Sequence, residues 1–222
     1  MANQALSDRL MTVKGVGNVS AKPDLTIITM NLATQRPVYG QMMEDAAKEV
    51  EAVRSALIAI GYERQDSKTT NFNISMEHES YKDKNGNYQR RFAGFKCTHA
   101  LKLEFDFEMK RLGETLKAIS SCGASPDFQI SFSVKDKNAV SAELLESAIA
   151  NAKEKAAILT KAADVKLGAI QRIDYSWGEL RLYSETRFDD MAVCEAAESY
   201  PMDIEPDDID VNDSVTVVWC IE

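Results

Sequence analysis

Soft metal and redox ligands are scarce in this sequence, which holds two histidines and four cysteines. Cys97, Cys122, Cys194 and Cys220 lie far apart, with no Cys-x-x-Cys pair among them. That spacing argues against a zinc knuckle and against a disulfide-dense scaffold, and leaves reduced structural thiols as the expectation. Long hydrophobic runs are also missing. No segment approaches the ~20 apolar residues that a membrane-spanning helix needs, so no transmembrane segment is expected. Residues 1–15, MANQALSDRLMTVKG, lack the basic start and apolar stretch of a secretory signal, and on that reading the chain is cytoplasmic. Positive charge is the third shortage. Lys and Arg number 26 against 35 Asp and Glu, a net charge of -9, so a nucleic acid meets long-range repulsion and is not expected as a partner. Hydrophobic residues make up 45% of the 222, ordinary for a soluble globular protein of one domain.

What is present begins with Gly15-Val16-Gly17-Asn18-Val19-Ser20, which nearly spells a phosphate-cradling turn. Such a cradle works by aiming free backbone N–H groups and a helix N-terminus at the anion. Here Pro23 and then the β-branched run from Leu25 to Leu32 follow, so the pattern is strand, turn, strand, and no nucleotide is expected.

Helical periodicity appears next. Met43, Ala46, Val50, Val53, Leu57 and Ile60 recur at three- and four-residue steps, with Glu44, Lys48, Glu51 and Arg54 on the other side, and Gly61 stands at the stop. Phe72, Ile74 and Met76 alternate with polar residues as a half-buried strand does. Lys82 to Asn87 contains the Asn85-Gly86 step of a hairpin turn. Phe95, Cys97, His99, Leu101, Leu103, Phe105 and Phe107 share one parity of a long return strand, and Gly94 marks a bulge or a point of close backbone approach, expected to rotate Arg90-Arg91-Phe92 relative to it. A short helix over Met109 to Ser121, a strand over Phe128 to Val134 and a long helix from Lys137 to Ala163 follow. The long helix carries a stripe of Leu145, Ala148, Ile149, Ala152, Ala156, Leu159 and Ala163. A strand over Ile170 to Trp177, an acidic loop over 178–209 with a helical turn near Ala192 to Glu198, and a last strand from Asp213 complete the chain. From Leu25 to Val134 the order is βαββαβ, that of a ferredoxin-like split unit. The fold class is therefore α+β, a mostly antiparallel sheet with helices on one face.

Several phrases resemble one family. Val13 to Asp24 is similar to the opening of SIMPL domains, and Gly94-Phe95-Lys96-Cys97 resembles the head of their central strand. Phe128 to Val134, the helix Ala148 to Ala163, and the ending Ile204-Glu205-Pro206 with Val215 to Trp219 resemble the family's later strand, helix and close. The resemblance covers nearly the whole chain and implies a single SIMPL-like domain over 1–222, with a flexible N-terminus at 1–11 and the acidic loop within the domain. It implies relatives exported to the periplasm and linked to envelope or oxidative stress, some of them ring-like or channel-like homo-oligomers, and a eukaryotic relative that signals through a kinase-associated partner. It carries over no catalytic residue. The chain departs from the pattern in lacking an export signal and in placing Asp207 where glycine is usual; periplasmic residence requires a native N-terminus other than this one.

Few residues invite chemistry. Cys97-x-His99 supplies two metal ligands where four are needed, and His99 reads as a buried, hydrogen-bonded core residue; His78 reads as exposed. The acidic run from Asp203 to Asp213 lacks the glycine and distal glutamate of a calcium loop. No Gly-x-Ser-x-Gly elbow is present. No catalytic, cofactor-binding or metal-ligating residue is assigned, and no cofactor is expected. Tyr88, Arg90, Arg91 and Phe92, a basic cluster interleaved with aromatics, form the candidate interface. The leading reading is a non-enzymatic homo-oligomeric interaction module, with an unidentified protein partner open. The alternative is a small-molecule-binding or hydrolytic enzyme with a site between sheet and acidic loop.

Overall fold

Glycines in the opening strand set the architecture of half the molecule. In the computed structural model, which describes residues 9–176, 178, 180–186 and 205–222, β1 (Leu10–Ala21) runs straight through Gly15 and Gly17 and pairs with β7 (Ile209–Ile221) near the other end of the chain. The helix α3 (Lys137–Ala162) lies against these strands. A methyl built on Gly15 would meet the Ala148 carbonyl oxygen at 2.1 Å, and one on Gly17 would meet that of Leu144 at 2.1 Å. The helix backbone therefore sits where side chains would stand, and the glycine pair serves packing against a helix.

That closeness selects the buried row of α3. Val140, Leu144, Ala148, Ala152, Ala156 and Thr160 are buried, at four-residue steps, whereas the expected stripe members Leu159 and Ala163 are exposed. Small residues win the inner row because the approach leaves no room for large ones. A neighbouring row then seals the strand edge. The Asn151 Oδ1 accepts from Val16 N–H at 3.0 Å, the Ser147 Oγ accepts from Asn18 N–H at 3.3 Å, and the Lys155 Nζ donates to the Lys14 carbonyl at 3.1 Å. Val13, Ala148, Ala152, Ala156, Val215, Val217 and Trp219 form the core between helix and sheet. The N-terminus of α3 is capped by the Asp136 carboxylate, which accepts from Ala139 N–H at 2.8 Å.

The third strand of this sheet, β6 (Leu167–Asp174), completes the order β1-β7-β6. It starts three residues earlier than the sequence pattern indicates, ends at Asp174, and carries two register shifts against β7. Leu182 is buried with Val19, Val134, Leu144 and Ile209, and its carbonyl accepts from Ser133 Oγ at 2.5 Å. The near end of the acidic segment is thereby tied down, while most of it, including the helical turn expected near 192–198, lies outside the described residues.

Contacts divide the chain into two compact units, and the elements above form one of them. The other is built on Asp24–Phe132. It holds β2 (Leu25–Arg36), α1 (Tyr39–Ala59), β3 (Ser67–Lys82), β4 (Tyr88–Asp106), α2 (Met109–Ser120) and most of β5 (Asp127–Ser133). The sheet order is β3-β4-β2-β5, with β4 antiparallel to both neighbours. In the unit's own numbering that is 2-3-1-4, the ferredoxin-like arrangement expected from βαββαβ. The protein is α+β as expected, its strands divided between two sheets.

Ile28, Met30, Leu101, Leu103, Leu112, Leu116, Ile119 and Phe132 are essentially unexposed at the centre of this unit. Phe105, expected in the core on the parity of Leu101 and Leu103, is only partly buried and stands edge-on to Tyr62 at 5.7 Å. On α1 the buried residues are Met42, Ala46, Val50, Val53 and Leu57, so Met42 takes the core place that the spacing gave to Met43. The helix closes on Gly61 (φ 95°), with Gly61 N–H on the Ile58 carbonyl and Tyr62 N–H on that of Leu57, a Schellman arrangement. Tyr62 then turns inward, and its hydroxyl meets Thr115 Oγ1 at 2.8 Å.

Candidate functional site

The β3–β4 hairpin is the longest strand pair in the molecule, and its outer third bears the candidate interface. Its turn is organised by Asp83. The Asp83 Oδ1 accepts from the backbone N–H groups of Asn85 and Asn87, each at 2.9 Å, and Gly86 takes φ 83°. The backbone hydrogen bond from Asn87 is the main reason this carboxyl titrates below its ordinary value.

The bulge expected at Gly94 is present. Glu77 pairs with Gly94 and His78 with Phe92, so Ala93 is passed over, and Gly94 takes φ 140° with the Arg36 carbonyl 2.7 Å from where a Cβ would sit. One extra residue inverts the facing of everything beyond it. Tyr88, Arg90 and Phe92 pair with Lys82, Ser80 and His78 and share the face that carries Phe95 and Cys97 farther along. Arg91 is turned to the opposite face, where it pairs with Glu79 and stacks over Tyr81 at 5.5 Å. Three of the four candidate residues therefore lie together and Arg91 does not.

The shared face is open and carries large apolar side chains beside Arg90 and Lys82. Phe72 is 50% exposed, Met76 66%, Tyr88 74% and Phe92 48%. Phe92 packs edge-on against Phe95 at 5.2 Å and against His78 at 6.1 Å, and Lys82 Nζ lies 5.1 Å from the Tyr88 ring. Large apolar side chains grouped on one face of an arm, rather than scattered singly, make it a candidate contact surface.

His99 is half-buried, its Nε2 2.8 Å from Thr69 Oγ1 and its ring edge-on to Phe72 at 5.3 Å. Burial, and then the nearby Arg54 charge, holds its pKa below the ordinary value. Cys97 is buried, and burial followed by the charge of Glu49 raises its thiol pKa; no third histidine, cysteine or carboxylate joins the two among the described residues. His78 is exposed, as its position indicated. Most of the acidic loop that would border the alternative site lies outside the described residues. Sequence periodicity missed Arg54: assigned to the polar side of α1, it is partly buried, and its Nε is enclosed without a hydrogen-bond partner.

These features define an α+β scaffold whose β3–β4 hairpin carries exposed Phe72, Met76, Tyr88 and Phe92. The chain belongs to the SIMPL family, a protein family of unknown function (DUF541), which it matches over residues 11–219. It is similar to the 26 kDa periplasmic immunogenic protein of Brucella melitensis, 26% identical over 163 residues, and to that of Brucella abortus strain S19, 25% identical over the same length. Each match covers 73% of this chain and 65% of the relative. Among the described residues no helix is long and apolar enough to cross a membrane.

Proposed function

We propose that this SIMPL protein is a non-enzymatic module that assembles with copies of itself through the β3–β4 hairpin, and that it works in the periplasm, the compartment named for its Brucella relatives. The observation that carries the reading is the unequal treatment of strand edges. An open edge invites pairing with another chain and is usually sealed or interrupted. β1 is sealed by Asn151, Ser147 and Lys155 of α3. β6 is short, twice shifted in register, and carries an Arg172–Asp174 ion pair at 2.8 Å. β3 is 16 residues long and is an outer strand of its sheet, as the shorter β5 is on the other side, beside an exposed apolar stripe. The basic hairpin tip, Lys82, Lys84 and Arg90, complements the acidic segment around Asp189 to Asp210 in sequence, and such charges favour specificity more than affinity. A stress-associated role for the assembly belongs to the same reading.

The test is a double substitution, Met76→Lys with Phe92→Glu. Met76 is 66% exposed and Phe92 48%, so changes there cost a single chain about 0.5 kcal/mol each. Sedimentation should show the assembly dissociating to single chains with an unchanged urea midpoint. An assembly that persists in the double variant removes the hairpin from the interface.

A further inference from the structure

The geometry points to a binding site for a small apolar monocarboxylate in the cleft between α1 and the β3 edge. The cleft encloses about 250 Å³, just under the ~300 Å³ at which drug-sized pockets begin, which limits its occupant to a single ring or short chain. Two features shape it. α1 packs mainly on β2 and β4. A register shift between Thr69 and Asn71 then brings Phe72 opposite His99 on the helix side. The walls are Met43 and Val50 from the helix and Phe72 from the strand, which suits an aromatic or aliphatic body.

Charge decides the other end. Arg64 and Glu51 line the cleft but are committed to each other, through paired contacts of 2.8 and 2.7 Å. Arg54 lines it with no hydrogen bond or ion pair among the described residues, and its Nε is buried and unpartnered. A guanidinium Nε enclosed without an acceptor is costly, and a bound carboxylate relieves that cost with a charge-assisted bond. His99, bonded to Thr69, adds no second full charge, since burial and Arg54 favour its neutral form. Glu51 acts on Arg54 as well as on Arg64, so two guanidiniums share one carboxylate and the lining carries one net positive charge. A monoanion neutralises it; a dianion such as a phosphate monoester would leave excess negative charge beside Glu51.

The test uses 3-phenylpropanoate and its neutral analogue 3-phenylpropanamide as probes on the full chain, by saturation-transfer NMR and calorimetry. The acid should bind with a dissociation constant on the order of 0.1–1 mM. The amide should bind roughly tenfold to a hundredfold more weakly, and Arg54→Gln should weaken the acid by the same factor, the usual worth of a hydrogen bond to a charged group. Phe72→Ala, at a half-exposed position, should weaken acid and amide alike and keeps the test decisive if Arg54→Gln misfolds. Equal binding of acid and amide, undiminished binding by Arg54→Gln or Phe72→Ala, or no binding of the acid at 10-fold above that range (about 10 mM) each overturns the site. Assembly through the hairpin stands or falls separately, on the sedimentation of the double variant.

Discussion

Gly17→Ala should be among the most damaging conservative substitutions in the protein. The added Cβ would lie 2.1 Å from the Leu144 carbonyl oxygen and 2.8 Å from the Ala148 amide nitrogen. Both are helix backbone, so no rotamer change relieves the clash. Ordinary contact begins near 3.4 Å, so α3 must lift by the difference, 3.4 less 2.1, or 1.3 Å. That displacement stretches the 3.0 Å bond from Val16 N–H to Asn151 and the 3.3 Å bond from Asn18 N–H to Ser147, and loosens the Ala148 and Ala152 contacts over the sheet. Overpacking a tight core costs about 1–3 kcal/mol; with the edge bonds weakened as well, about 3 kcal/mol is expected. At a urea dependence of ~2 kcal/mol per molar the midpoint falls by roughly 1.5 M. Trp219, buried in the same cluster, reports the transition by fluorescence in a Trp177→Phe background. Gly113→Ala is the control, a helical position with nothing within 4 Å of the new methyl, and should stabilise by about 0.5–1 kcal/mol. A Gly17→Ala midpoint within error of the parent would refute the packing argument.

Two further outcomes follow from single residues. Asp164, at the end of α3, is the one described non-glycine residue with positive φ, at 55°, so Asp164→Gly should raise stability by about 0.5–1 kcal/mol in urea denaturation. His99 has a folded pKa depressed by burial and then by Arg54. The unfolded chain therefore binds a proton that the fold refuses: stability is full above about pH 6.5 and declines as pH falls through that value toward the folded pKa. Urea midpoints measured on either side should differ less for His99→Gln than for the parent; equal differences would contradict the depressed pKa.

Much of the second unit could be read from residues alone, because its signals are local. The parity of Phe95 to Phe107, the Asn85-Gly86 turn and the Gly94 bulge are short-range patterns, and together they gave βαββαβ. The first unit depends on partners far apart in sequence. Nothing near Gly15 indicates that Ala148 lies above it, so the two glycines resembled half of a phosphate loop, and on α3 periodicity found Ala148, Ala152 and Ala156 but extended the stripe to Leu159 and Ala163, which are exposed. The candidate interface was legible as a cluster but not as a surface, since skipping Ala93 sends Arg91 to the other face. Arg54 was hidden for a related reason: its spacing on α1 places it among polar neighbours, and only the shift at Thr70 brings Phe72 and His99 beside it.

The central claim is assembly, and the molar mass of the native chain in solution tests it most directly. Multi-angle light scattering across a dilution series through micromolar concentrations should return an integral multiple, two or greater, of the 24.7 kDa chain mass. A mass of 24.7 kDa at every concentration would contradict it.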